Sequence, residues 1–175
     1  MNRAPRLGTR LTSWWWDYLL IVGWLILVFL VVGLPQLIGW WDLSAIWTDP
    51  ISADVAITLL TVVPYFLYLV LTEWNSPHAT WGKRRTRIMV STRVGGAPGG
   101  GRVVTRELVK VLPWQLGHMG TTRLVTSNDP TTAAIVMQIA SLTLLVLVVG
   151  PILFGRRGLH DVLASTKVVS TQESS

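Results

Sequence analysis

The hydrophobic positions of the chain fall into three long runs. The first extends from about residue 14 to 34, the second from 53 to 72 and the third from 131 to 154. A helix of about 20 apolar residues crosses a bilayer, and the first run is apolar on every face, unlike a surface helix of a soluble protein. The pattern predicts an all-α integral membrane protein with three long transmembrane helices.

A polar stretch of residues 73–130 separates the second and third runs and carries nine of the fifteen basic residues. Its glycine-rich part, Gly95 to Gly101, lacks the Gly-Lys-Ser/Thr of a phosphate-binding loop and predicts a flexible turn. Residues 103–119 are apolar enough to form a short fourth membrane segment, re-entrant or interfacial, with Arg106 and Lys110 reaching the interface. A helix lying on the membrane surface is the alternative.

The distribution of charge predicts the orientation, because short loops rich in Lys and Arg stay in the cytoplasm. The N-terminus carries Arg3, Arg6 and Arg10, whereas residues 35–52 contain no Lys or Arg and are expected outside. Residues 83–106 are then a polar cytoplasmic loop. Arg156 and Arg157 follow the last run and should also stay inside, which favours four membrane segments over three, with an outer turn at residues 121–130.

Composition agrees with this picture and narrows the chemistry. Half of the residues are hydrophobic, the mean hydropathy is +0.48, the net charge is +6 and cysteine is absent. The absence of cysteine excludes disulfides and cysteine-ligated metals. In a membrane protein the positive charge indicates cytoplasmic loops and anionic lipid headgroups rather than nucleic acid. The basic run after the second span is assigned to headgroups: Lys83, Arg84, Arg85 and Arg87.

Polar side chains recur on the second span at spacings of three and four residues, which places them on one helical face. They are Asp54, Thr58, Thr61, Tyr65, Tyr68 and Thr72. Such a face can form hydrogen bonds between helices, or it can line a wet path. Both interpretations remain open at this point.

Charged residues within or near the apolar runs are the candidate functional residues. Asp17 lies within the first run, where a carboxylate is costly and therefore a functional candidate, although it can also be interfacial. Arg10 shares its helical face two turns away. A basic stripe of Arg102, Arg106 and Lys110 on the third segment can face the carboxylates or meet lipid phosphates; the carboxylates are Asp17, Glu73 and Asp161.

The three histidines, His78, His118 and His160, have no spacing typical of a metal site, and no nucleophile motif is present. We therefore expect neither an enzyme nor a cofactor or metal.

Four segments together resemble the RDD family of bacterial membrane proteins, which is named for one arginine and two aspartates. They are Arg10 to Asp17 (RLTSWWWD), Thr80 to Arg84 (TWGKR), Arg102 with Arg106 and Leu108, and Arg157 to Thr166 (RGLHDVLAST). The naming residues correspond to Arg10, Asp17 and Asp161. The sequence departs from the family pattern at Arg87 and Ser165, where the family tends to have glycine, and at Met89, where it tends to have a basic residue.

The resemblance implies a multi-pass bacterial inner-membrane protein with a cytoplasmic N-terminus, for which transport, and in some members monovalent cation/proton antiport, is proposed. Residues 14–169 would form the membrane domain, after a basic N-terminus of residues 1–13 and before a polar tail of residues 170–175. A chain this small would need to be a homo-oligomer or part of a larger complex. In this hypothesis Asp17 exchanges a proton or cation, Arg10 and Arg106 tune it, and Asp161 closes the cytoplasmic end. The alternative is a non-catalytic accessory or scaffold subunit.

Overall fold

The computed structural model describes residues 4–126 and 132–171. Helices account for 74% of it. In chain order the elements are α1 (Leu7–Leu37), α2 (Ser44–Thr48), α3 (Pro50–Trp74), α4 (Trp81–Arg85), β1 (Ile88–Thr92), α5 (Gly100–Thr126), α6 (Thr132–Leu153), α7 (Leu159–Leu163) and β2 (Thr166–Ser170). Among the described residues α1, α3 and α6 are long and apolar enough to cross a membrane, which confirms the three predicted long helices.

These three helices differ from the predicted spans mainly in length. Only 11% of the most apolar stretch of α1, and 11% of that of α6, is buried inside the protein, so most of their apolar surface faces outward as lipid-facing helices do. The segment predicted at residues 103–119 is part of the longer α5, which begins inside the glycine-rich segment. Arg3, residues 127–130 of the predicted outer turn and residues 172–175 of the tail lie outside the described residues.

Two π-helical turns interrupt α1 and α3, and each comes shortly before a proline. They cover Phe29–Gly33 and Thr58–Val62. Proline lacks an N–H, and its ring crowds the carbonyl four residues earlier, so the regular α-helical ladder is broken there. Leu60 lies four residues before Pro64, and its carbonyl accepts a 2.7 Å hydrogen bond from Trp24 Nε1 of α1. The broken ladder thus provides a contact between two apolar helices.

A two-stranded antiparallel sheet corrects the all-α prediction. β1 pairs with β2, with Ile88 opposite Ser170 and Thr92 opposite Thr166. β1 lies within residues 83–106, which the sequence predicts to be a polar loop. Each strand has only five residues, which is too short for alternation of polar and apolar residues to stand out, and its partner is far away in the chain. The sheet brings the end of the chain next to the polar stretch.

Helix packing sets the frame of the candidate site. α5 and α6 form an antiparallel hairpin, in which Ser141 Oγ donates a 2.7 Å hydrogen bond to the carbonyl of Pro113. The other face of α5 packs on α3, while α1 packs chiefly on the short α4. Among the described elements, α1 and α6 do not pack closely on each other, and a gap remains between them.

Candidate functional site

The carboxylate of Asp17 connects α1 to α3 and α4. Thr80 Oγ1 donates to Oδ2 at 2.6 Å, and the backbone N–H of Gly82 and the hydroxyl of Tyr68 donate to Oδ1 at 2.8 and 3.1 Å. Tyr68 in turn accepts a 2.8 Å hydrogen bond from the backbone N–H of Trp81. Three donors satisfy both carboxylate oxygens and hold the start of α4 against α1.

The close approach at this point depends on Gly82. A Cβ added there would overlap the backbone oxygen of Ser13 and would lie 2.9 Å from Cγ and Oδ2 of Asp17. Since the first contact is with backbone, it cannot be relieved by moving a flexible side chain. Only glycine allows α4 to dock on α1 in this way.

Six charged side chains meet next to this docking point and are called here the charge cluster: Glu73, Lys83, Arg106, Glu107, Lys110 and Asp161. Arg106 lies at its centre, with Nη1 in contact with Glu73 and 2.7 Å from Glu107 Oε1, and with Nε 3.0 Å from Asp161 Oδ1. Three cations balance three carboxylates when all are ionised. Five of the six are buried, and the side chain of Lys110 is 20% exposed.

The two glutamates of the charge cluster share their cations. Lys110 Nζ lies 2.5 Å from Glu107 Oε2 and 3.7 Å from Glu73 Oε1, and Lys83 Nζ also contacts Glu73. Burial lowers the pKa of Lys83 because it disfavours the ammonium, and the charge of Glu73 opposes this only in part. A buried lysine against a shared carboxylate pair is an arrangement in which a proton can move.

Asp161 joins the charge cluster to β2. Its Oδ1 accepts hydrogen bonds from Arg106 and, at 2.8 Å, from Thr166 Oγ1. Burial raises the pKa of the Asp161 carboxyl, but the charge of Arg106 and smaller contributions, which include the hydrogen bonds from Arg106 and Thr166, together outweigh burial and hold this pKa below its usual value. Burial, with a contribution from Arg106, lowers the pKa of the neighbouring His160 to about 3. His160 is therefore neutral at physiological pH.

The three residues that gave the family resemblance its name line a single cavity. Arg10, Asp17 and Asp161 come from distant parts of the sequence and face a space of about 590 Å³ between α1 and α6. Arg10 is 9% exposed, and its side chain makes no hydrogen bond or ion pair with any described residue, although the charge of Asp161 acts on it. Arg106 pairs with the carboxylates of the charge cluster rather than with Asp17.

The polar face of α3 makes most of its contacts with other helices. Asp54 Oδ2 lies 2.5 Å from Arg123 Nη1, and Thr58 Oγ1 lies 2.9 Å from Gln115 Nε2, both on α5. Tyr65 stacks on Tyr68 and packs against Trp114 of α5. Thr61 and Thr72 instead donate to carbonyls of their own helix. The polar contacts of this face with α5 therefore lie at its Asp54 end.

The basic run splits into one buried and three exposed side chains. Lys83 is buried in the charge cluster, whereas Arg84, Arg85 and Arg87 are exposed and remain assigned to headgroups as a prediction. The guanidinium of Arg85 lies 4.4 Å from the ring centre of Trp16 and 4.7 Å from that of Trp81. Arg102, the first residue of the predicted basic stripe, is exposed. The described residues contain no cluster of three metal-ligating side chains.

Sequence reasoning did not single out Glu107 or Arg123. Glu107 is flanked by Arg106 and lies three residues before Lys110, a spacing at which helical side chains meet. That spacing, with apolar residues around it, is the signal that could have placed Glu107 in the candidate network. Arg123 pairs with Asp54 of α3, and no spacing in the sequence relates these two residues, which are 69 positions apart.

A model of the RDD family matches residues 4–165, nearly the whole chain, and confirms the resemblance carried by the four segments. No curated protein and no solved structure matches the chain.

Proposed function

The chain belongs to the RDD family, and from this premise we propose that it is a multi-pass protein of the bacterial inner membrane that exchanges protons for a monovalent cation. The proposal rests on the charge cluster. Because Glu73 and Glu107 share Arg106 and Lys110, adding one proton to the pair leaves the charge cluster with one uncompensated positive charge. A proton and a monovalent cation would each add one positive charge to this balanced cluster, so binding of one disfavours binding of the other, as such an exchange requires.

The proposal assigns different tasks to the acidic residues. Glu107 and Glu73 carry the exchanged proton, next to the buried ammonium of Lys83. Asp161 keeps Arg106 in place. Asp17 holds α4, and hence Lys83, against α1 through its three hydrogen bonds. Three or four helices enclose too little space for a path across the membrane, so the proposal includes a homo-oligomer.

Four membrane segments with both termini in the cytoplasm are part of the proposal. α5 contacts α3 from the Asp54–Arg123 pair to the Glu73–Arg106 pair. Asp54 and Glu73 are 19 residues apart, which is about 28 Å of helix and close to the thickness of the hydrocarbon core. If α3 crosses the bilayer, α5 lies at the same depth, with its ion pairs at the two interfaces.

A non-catalytic accessory or scaffold subunit is the second candidate. It is favoured by Asp17, both of whose oxygens are already held by donors, as in a carboxylate that fixes helix packing. In that role the charge cluster would stabilise one arrangement of helices, and the exposed arginines would meet lipid or a partner protein.

Flux measurements in proteoliposomes separate the two candidates. We expect proton-coupled Na⁺ or K⁺ flux from the unaltered chain and none from Glu107→Gln at equal folded yield. Arg102→Gln, which removes an exposed charge from the same helix, should keep the flux. Flux that persists in Glu107→Gln would refute the proton site. No flux from a well-folded unaltered chain would favour the accessory subunit, in which Asp17→Asn should lower folded yield or break a complex.

A further inference from the structure

The lining of the cavity between α1 and α6 contains residues of two kinds. Its apolar residues include Ile21, Leu69, Leu145, Val148 and Ile152. Its polar and charged residues include Arg10, Ser13, Asp17, His160 and Asp161, together with the three cations of the charge cluster. Its volume of about 590 Å³ falls within the range of about 300–1,000 Å³ typical of ligand sites.

Two buried polar atoms of the lining, the hydroxyl of Ser13 and Nδ1 of His160, lack hydrogen-bond partners among the described residues. The guanidinium of Arg10, a residue that is 9% exposed, also makes no hydrogen bond or ion pair with a described residue. A buried polar group without a partner is unfavourable, because it loses its hydrogen bonds to water. All three line the same cavity, so one bound group can satisfy them together.

The charge of Arg10 favours an anion in this cavity. The other three cations of the lining belong to the charge cluster, whose three carboxylates balance them, and Asp17 is held by Thr80 and Gly82. Arg10 is the cation of the lining that has no ion pair within the described part of the chain. A guanidinium presents a planar fork of N–H donors that matches a phosphate or carboxylate.

The cavity also has an opening and a route for an alkyl chain. Leu11, Tyr18 and Leu145 of its lining are 44%, 54% and 48% exposed, so the cavity reaches the surface between α1 and α6. These two helices present most of their apolar surface outward. A ligand with an alkyl chain can enter sideways from the bilayer, with the alkyl chain along the apolar residues of the lining and its head toward Arg10.

We propose that this cavity binds a single-chain anionic amphiphile, whose acidic head is held by Arg10, Ser13 and His160. The alkyl chain lies against Leu145, Val148 and Ile152. The inference goes beyond ion exchange and does not depend on it, because the amphiphile would bind equally to a chain that carries no flux.

Binding to the full chain in an uncharged maltoside detergent tests this proposal, with dodecyl phosphate, dodecanol and inorganic phosphate as probes. We expect dodecyl phosphate to bind the unaltered chain and to bind Arg10→Gln at least tenfold more weakly. Arg6→Gln removes an exposed charge one turn earlier and should leave the affinity unchanged. Val149 is another apolar residue of the lining, and Val149→Phe should weaken binding by filling the cavity without changing charge. This variant carries the test if Arg10→Gln does not fold.

Three results would overturn the proposal. Equal binding of dodecyl phosphate to the Arg10→Gln and Arg6→Gln variants would indicate adsorption to a basic surface. Dodecanol that binds as tightly as dodecyl phosphate would show that the acidic head is not recognised. Inorganic phosphate that binds as tightly would mean a site for the free anion in which the alkyl chain plays no part.

Discussion

Asp17 and Gly82 are 65 positions apart in the chain, and the backbone N–H of Gly82 donates a 2.8 Å hydrogen bond to Oδ1 of Asp17. This contact fixes the start of α4 against α1. Lys83 is the next residue, and it lies buried against Glu73. One hydrogen bond therefore links the family aspartate in the first helix to the position of a cation in the charge cluster.

Gly82→Ala is expected to destabilise the protein by about 1–3 kcal/mol, as overpacking does in a tight core. The added Cβ would overlap the Ser13 carbonyl, and relief would require α4 to move away from Asp17. The measurement is the midpoint of thermal unfolding in detergent. Gly23→Ala is the matched control, since Gly23 lies in α1 and a Cβ added there has open space around it. Equal midpoints for the two variants would contradict the close packing.

The pairing of Arg106 with Asp161 can be measured with a double-mutant cycle. Arg106→Gln leaves buried carboxylates with too few cations and should cost about 3–5 kcal/mol. Adding Asp161→Asn removes one of those carboxylates, so the double variant should be more stable than the sum of the two single effects predicts, by about 0.5–3 kcal/mol. Unfolding by denaturant in detergent gives the four free energies.

The exposed Arg102 provides the control for this cycle. Arg102→Gln removes the same charge from the same helix and should change the free energy of unfolding by about 0.5 kcal/mol or less. Additive effects of the Arg106 and Asp161 variants would show that the two side chains are not coupled.

Ser165→Gly should raise stability by about 0.5–1 kcal/mol. Ser165 has φ 53° and Arg87 has φ 54°, a left-handed conformation that costs residues with a Cβ about 1–2 kcal/mol. The greater freedom of glycine in the unfolded chain offsets part of the gain. The midpoint of thermal unfolding checks the change. Arg93→Gly, at an exposed position without a positive φ, should lower the same midpoint; a loss of stability in Ser165→Gly would contradict the argument.

The sequence predicted the long helices well because each apolar run reports on its own segment. Comparison with the family pattern also predicts glycine at positions 87 and 165. Arg87 and Ser165, which stand there, both adopt a conformation that favours glycine. It could not identify Gly82 as the partner of Asp17, because helical periodicity says nothing about contacts between distant segments. For the same reason the basic run predicts one role for Lys83 and for its neighbours, although Lys83 is buried in the charge cluster and the neighbouring arginines are exposed.

Protonation of His160 should make stability depend on pH. Its pKa of about 3 in the folded protein is far below the usual value of about 6.5. Below about pH 6.5 the unfolded chain therefore takes up a proton that the folded chain does not, and stability falls as pH falls. The slope approaches about 1.4 kcal/mol per pH unit. Between pH 7 and 5 the contribution of Asp161 is small, since its usual pKa of about 3.9 lies lower.

His160→Gln tests this linkage, since it removes the titrating group and keeps a polar side chain. The free energy of unfolding of the variant should vary less between pH 7 and pH 5 than that of the unaltered chain. An equal slope in both proteins would assign the pH dependence to other groups.

Labelling of single cysteines should show that α5 crosses the membrane. The chain has no cysteine. Val94 lies shortly before the start of α5 and Val125 lies at its end, and they are 92% and 79% exposed. If α5 lies beside α3 through the bilayer, an impermeant thiol reagent outside intact cells should label Val125→Cys and not Val94→Cys. Inverted vesicles should give the opposite result, and detergent should allow both to react. Labelling of both positions from the cytoplasmic side would instead place α5 on the membrane surface, and the seam between α3 and α5 would then have to lie outside the hydrocarbon core.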